Sequence, residues 1–272
     1  MPNDLFHDLF ALLTPERLLG DPRAKGEGVK VCIIDTGVEE KVLTEKFKRQ
    51  GQDIHPIQGG IFTASAPEPL PYTGQQSTPH GTTVADIILT LAPRVQLFSA
   101  DVFGPQGSCE VETVIKALRW AIDVWHCKIV NLSLGVTEQR LHPLPRRQQF
   151  QKAIEEAYFK DVLVFAAAHN DHPLTRSYPA LFAPPLISVD KQLFADPMQF
   201  AYHLRDQIEF QAHGRGYLGP FAQEPATSWA CPHLAGIAAR LLSLRPEMKP
   251  FELKALLYWM FQAGRRPEAG KG

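Results

Sequence analysis

Five short runs of the chain are apolar at almost every position: Val29 to Ile34, Val95 to Val102, Lys128 to Leu132, Val162 to Ala168 and Leu186 to Val189. A strand buried on both faces shows no polar alternation, so each run predicts a strand inside a parallel sheet. Between them, apolar residues recur at helical spacing, as Val84, Ile87, Ile88 and Leu91, then Val114, Ala117, Leu118 and Ala121, then Phe150, Ile154 and Ala157. Two more helices are predicted over Ser228 to Leu244 and Pro250 to Gln262. Strands alternating with helices predict an α/β fold, with a mostly parallel central sheet and helices on both faces. Gly59 to Pro79 and Asp190 to Ala226 interrupt the pattern with Gly, Pro and polar residues. Both read as long loops of the kind that carry or cover function.

At 272 residues, 44% hydrophobic and 21% charged, the chain is long enough for one sizeable core, and its composition excludes a disordered or fibrous protein. Its 28 Lys and Arg nearly balance 29 Asp and Glu. Neither nucleic acid nor a membrane surface is therefore an expected partner. Cys32, Cys109, Cys127 and Cys231 lie far apart with no C-x-x-C pair, which suggests neither a disulfide framework nor a zinc site. No apolar run approaches the roughly 20 residues of a membrane helix, and no basic-then-apolar leader opens the chain. A reducing cytoplasm is the expected setting.

In open parallel sheets, ligands bind where the strands end at their carboxyl side. Asp35 ends the first predicted strand, in Ile34-Asp35-Thr36-Gly37, and Asn131 to Gly135 ends the third. Asn170 follows the fourth, while His80 and Ser228 open predicted helices, each with a proline nearby, Pro79 and Pro232. An acid, an imidazole, a hydroxyl and an amide then share one edge of the sheet. A serine hydroxyl becomes a nucleophile when an imidazole takes its proton, and a carboxylate fixes that imidazole's tautomer. Asp35, His80 and Ser228 fit those roles. The Asn170 amide and the Ser228 backbone N–H fit the donors that a tetrahedral oxyanion needs.

These segments, in the order Val31 to Gly37, His80-Gly81-Thr82, Asn131-Leu132-Ser133-Leu134-Gly135, Ala167-Ala168-His169-Asn170-Asp171 and Thr227 to His233, resemble the subtilisin-like serine proteases, or subtilases. The resemblance runs from about Gly28 to the last helices. It implies a subtilisin-like three-layer sandwich and serine endopeptidase activity through an acyl-enzyme, with a polypeptide as substrate and no cofactor or metal. It further implies that the substrate lies as a strand between Gly104 to Cys109, including Gly104, Gly107 and Ser108, and Ser133, Leu134 and Gly135. The latter three, with Ala167 and Ala168, would wall the pocket for the residue before the cut. The segment Thr90 to Arg94 is shorter than the loop that holds calcium in many relatives, so no calcium is expected there.

The chain also departs from the family pattern. Ala226 stands where Gly is usual, Trp229 where Met is usual, and His169 where Gly precedes the asparagine. The indole and imidazole are expected to narrow the cleft. Two other readings follow: a catalytically impaired subtilase that binds peptides or regulates, and a transpeptidase or macrocyclase in which an amine resolves the acyl-enzyme. The expected organisation is an N-terminal extension over 1–27, a peptidase domain over 28–264 and a flexible tail over 265–272. Leu5, Phe6, Leu9 and Phe10 give the extension an apolar face that would pack on the domain or lie across the cleft as a brake. No long pro-segment is expected, and restraint by an inhibitory or regulatory protein partner would suit a cytoplasmic protease.

Overall fold

The computed structural model describes residues 11–104 and 107–265, apart from the Pro220 side chain. The expectations for Leu5, Phe6, Leu9 and Phe10, and for 266–272, lie outside the described residues. A nine-stranded sheet forms the centre, in the order β10-β11-β9-β7-β5-β1-β4-β2-β3. Its strands are β1 (Lys30–Asp35), β2 (Gln58–Ile61), β3 (Leu70–Pro71), β4 (Gln96–Asp101), β5 (Ile129–Leu132), β7 (Leu163–Ala167), β9 (Ile187–Gln192), β10 (Phe200–Arg205) and β11 (Ile208–His213). The seven inner strands are parallel, and only β3 and β10, at the two edges, pair antiparallel. A two-stranded pair, β6 (Val136–Thr137) with β8 (Ser177–Tyr178), lies apart from it.

The sheet separates two cores. Val31 and Ile33 of β1 enter one of them, with α1 (Pro15–Leu19), α2 (Glu40–Arg49), α3 (Pro79–Leu91), α6 (Thr227–Leu244) and α7 (Pro250–Gly264). Cys32 and Ile34 enter the other, with α4 (Val111–Asp123) and α5 (Leu144–Phe159). Both sets are fully buried, which is why the β1 sequence shows no alternation. The three-layer α/β sandwich is therefore present as expected.

Strand β1 lies between β4 and β5, and the chain runs from β1 to β2 on one side but from the adjacent β5 to β7 on the other. Its carboxyl end is thus a topological switch point, where neighbouring connections part and leave a crevice. Asp35 sits there.

The two stretches read as loops both contain strands. Within 59–79, β2 carries Gly59 and Gly60 and pairs parallel with β4, while β3 is two residues long. Within 190–226, β10 and β11 form a hairpin turned by Asp206 and Gln207, both at positive φ. The turn lacks the usual Asn-Gly or Asp-Gly signature, and β10 runs from buried to exposed, so neither periodicity nor turn chemistry marked it. Among the described residues, no helix is long and apolar enough to cross a membrane.

Candidate active site

Helix α3 starts where its sequence dictates. Thr78, the N-cap, accepts the His80 N–H on its hydroxyl at 3.4 Å, and Pro79 occupies the first turn, where its missing N–H costs nothing. His80 is thereby held in that turn, facing the end of β1. Thr36 locks the two elements together: its hydroxyl donates to the Thr78 carbonyl at 3.0 Å and accepts the Gly81 N–H at 3.0 Å. Gly81 is required by proximity, because a Cβ there would lie 2.2 Å from the Gly37 carbonyl oxygen and 3.3 Å from Asp35 Oδ1.

Asp35 is buried, and its Oδ1 accepts the Thr36 N–H and His80 Nδ1, each at 2.8 Å. Since a carboxylate only accepts, Nδ1 carries the proton and Nε2 is left with its lone pair. Burial opposes charging of His80, but the Asp35 charge and hydrogen bond outweigh it and raise the imidazole above its ordinary pKa. Trp229 lies over this ring, centroids 4.9 Å apart, and packs in turn on Phe221 at 5.0 Å. The indole is only 3% exposed, so it forms the wall behind His80 rather than narrowing the cleft as expected.

Trp229 is itself supported from beneath. His233 Nδ1 donates to the Trp229 carbonyl at 2.7 Å, and the Tyr217 hydroxyl donates to His233 Nε2 at 2.7 Å. Burial drives His233 down to about 3, so the ring is neutral and serves as a structural spacer.

Ser228 is the second residue of α6. Pro232, four residues on, has no N–H to give the Ser228 carbonyl, and the Ser133 hydroxyl supplies the missing donor at 2.9 Å. Asn131 Nδ2 donates to the same Ser133 oxygen at 2.9 Å. The Ser228 hydroxyl donates to the Ser133 carbonyl at 3.3 Å, and among the described residues no hydrogen bond joins it to His80. The structure therefore brings Asp35 and His80 into contact, and it sets Ser228 next in the chain to Trp229, whose indole packs on His80, with the serine hydroxyl turned to the Ser133 carbonyl. Ala226 causes no strain: as the α6 N-cap it is extended, at φ −140° and ψ 151°, a conformation open to any residue.

Asn170 is tied to the start of α6. Its Oδ1 accepts the Thr227 N–H at 2.9 Å, the Thr227 hydroxyl at 3.2 Å and Lys191 Nζ at 3.3 Å. With Oδ1 engaged, Nδ2 has no partner among the described residues, and neither has the Ser228 N–H. Two free donors, one on the first turn of α6 and one on the asparagine tied to it, are what an oxyanion requires. His169, beside Asn170, accepts the Asp171 N–H on Nδ1 at 3.1 Å.

Of the expected substrate segments, Gly107, Ser108 and Gly135 are exposed, Gly104 and Leu134 half-buried, and Ser133, Ala167 and Ala168 buried at the strand ends. Asp101, next to Asp35 in register, accepts the Phe103 and Gly104 N–H groups at 3.0 and 3.2 Å and so shapes the start of the first segment. Burial first, and the neighbouring Asp35 charge after it, outweigh those two bonds and raise the Asp101 pKa. Burial also pushes the Cys109 thiol up to about 12, leaving it inert at neutral pH.

The sequence reading gave no role to four residues of this site, Thr36 and Thr227, which stand inside its motifs, and Asp101 and Lys191, which do not. Asp101 carried a signal, a polar residue next to the last position of a predicted strand and three before a glycine. Lys191 carried none.

Comparisons with known proteins bear on the family and the fold. The model of the subtilase family matches residues 26–192 and 207–269. M-protease of Shouchella clausii (strain KSM-K16) is 27% identical over 254 residues, an alignment covering 84% of this chain and 58% of that protein. Subtilisin Savinase of Lederbergia lenta is also 27% identical over 254 residues, with 84% and 81% covered. Among solved structures, a lanthipeptide protease superposes with a TM-score of 0.65 at 21% identity, covering 93% of this chain and 86% of the other. A cold adapted subtilisin-like serine proteinase gives 0.63 at 22% identity, covering 85% and 81%.

Proposed function

The chain belongs to the subtilase family, and from that premise we propose that it is a serine endopeptidase hydrolysing polypeptides through an acyl-enzyme. The observation that carries the reading is the 2.8 Å bond from Asp35 Oδ1 to His80 Nδ1, at the sheet's switch point and beside the start of the Ser228 helix. Ser228 attacks the scissile carbonyl. Its hydroxyl first turns from the Ser133 carbonyl toward His80 Nε2, a rotation about χ1. His80 takes the proton, Asp35 stabilises the resulting imidazolium, and His80 then protonates the leaving amine. The Ser228 N–H and Asn170 Nδ2 hold the oxyanion at each tetrahedral stage. Water, activated by His80, releases the acyl group.

The substrate strand lies along Gly104, Gly107 and Ser108 on one side and Ser133, Leu134 and Gly135 on the other, with Ala167 and Ala168 lining the pocket before the cut. A cytoplasmic setting and a restraining protein partner belong to the same proposal. The test is intact mass after exposure to a fluorophosphonate, which labels a serine activated by its base. One adduct is expected on wild type, none on Ser228→Ala, and far slower labelling on His80→Ala. A folded wild-type protein that takes no label refutes the proposal.

A further inference from the structure

Lys191 makes an unusual use of its charge. It lies near the end of β9, two residues beyond Val189, which pairs with Ala167 of β7. The alternation that sends Ile187 and Val189 into the α6 core puts the Lys191 side chain on that same face, past the end of β7 and beside the Asn170 loop. Its stem has room because residue 214 is glycine, since a Cβ there would lie 2.9 Å from Lys191 Cβ. The surrounding backbone is closed by two bonds of 2.9 Å, Gly214 N–H to the Gln192 carbonyl and Ala226 N–H to the Gly214 carbonyl. The end of β9 and the start of α6 are thus one rigid frame.

Within that frame Lys191 Nζ donates to the Asn170 carbonyl at 2.6 Å and to Asn170 Oδ1 at 3.3 Å. Among the described residues, no carboxylate lies within ion-pair distance of it. The ammonium is spent on both oxygens of one asparagine, and its charge stays uncompensated.

Resting on the oxyanion role proposed above for Asn170, we propose that Lys191 is a positioning residue for that amide and an electrostatic support for the charge it receives. The argument has two parts. Lys191 and Thr227 together fix Oδ1, which fixes the opposite edge of the carboxamide, where Nδ2 lies. Donors on Oδ1 also draw density from the amide and make its N–H bonds stronger donors, since linked hydrogen bonds polarise one another. The positive charge adds a longer-range attraction for an anion that exists only in the transition state, the condition for raising kcat.

The test uses the full chain and p-nitrophenyl acetate, whose hydrolysis passes through the same oxyanion. A unit charge held one carboxamide away from the oxyanion in a half-solvated site corresponds to roughly 5- to 30-fold in rate. Lys191→Met is therefore expected to lower kcat by that factor with KM within about twofold. Lys191→Arg should restore most of the loss, and raising NaCl from 0.05 to 0.5 M should shrink the gap by screening. In an Asn170→Ala background, Lys191→Met should cost little more, because the group it acts through is gone. Equal loss in both backgrounds, or a changed KM and melting temperature with kcat intact, overturns the inference while leaving Asn170 in place. If Asn170→Ala alone leaves kcat unchanged, the oxyanion assignment itself falls.

Discussion

Replacing Ser133 by Ala removes one hydroxyl and leaves two buried groups without partners. The Ser228 carbonyl loses the donor that Pro232 cannot supply, and Asn131 Nδ2 loses its acceptor, both bonds being 2.9 Å. Ser133 is 4% exposed and Asn131 fully buried, so water does not replace either contact. An orphaned buried polar group costs about 1–3 kcal/mol, and with some relaxation the pair should cost about 2–4 kcal/mol. For a domain of this size that corresponds to a fall of roughly 4–10 °C in Tm. The measurement is denaturant unfolding followed by tryptophan fluorescence in a Ser228→Ala parent, which removes self-cleavage as a complication. Pro232→Ala supplies the internal control, because an alanine N–H at 232 can reach the Ser228 carbonyl four residues back. It should recover about 1 kcal/mol in the Ser133→Ala protein and much less in the parent. A Ser133→Ala cost below about 0.5 kcal/mol, or an identical effect of Pro232→Ala in both backgrounds, refutes the reasoning.

Two further outcomes concern activity. Because Asp35 raises the His80 pKa and the base must be neutral, kcat/KM should fall to half its plateau at a pH above the ordinary imidazole value of about 6.5. Asp35→Asn should lower that midpoint and cut kcat by about 10⁴-fold, and a flat profile from about pH 5 to 8 removes His80 as the base. Gly81→Ala should separate α3 from the end of β1, since its Cβ falls 2.2 Å from the Gly37 carbonyl oxygen. A loss of kcat of about tenfold or more is expected for a misplacement of about 1 Å, and unchanged turnover would show that the close approach is immaterial.

The sheet and its two helical layers were legible because continuous burial writes itself into the sequence. Cys32 and Ile34 face one core and Val31 and Ile33 the other, which leaves no room for a polar residue. The hairpin β10–β11 was hidden because its turn uses Asp206 and Gln207 and its edge strand is half-solvated. At the candidate site, Asp35, His80 and Ser228 announced themselves by standing at element ends beside glycine or proline. Lys191 could not, because its meaning comes from an asparagine 21 residues away and a glycine 23 residues on. Trp229 was misread for the opposite reason. Its position beside Ser228 was plain, but the direction of its indole is set by the His80 and Phe221 rings it packs on.

Helix α6 has one more consequence, which concerns the order in which the protein is made. Asp35, His80 and Asn170 lie on elements that precede it, yet α6 packs against β5, β7, β9, β11 and α3 together and is a major part of the core on its side of the sheet. While a ribosome is still adding residues 171 to 226, the acid and the imidazole exist without that hydroxyl, and the layer on this side of the sheet holds α1, α2 and α3 but lacks the helix that touches four of its strands. Ser228 arrives on that helix, with α7 still to follow. On the proposed reading, the nucleophile and the helix that spans the sheet therefore arrive together, and nascent chains that stop short of Ser228 lack that hydroxyl.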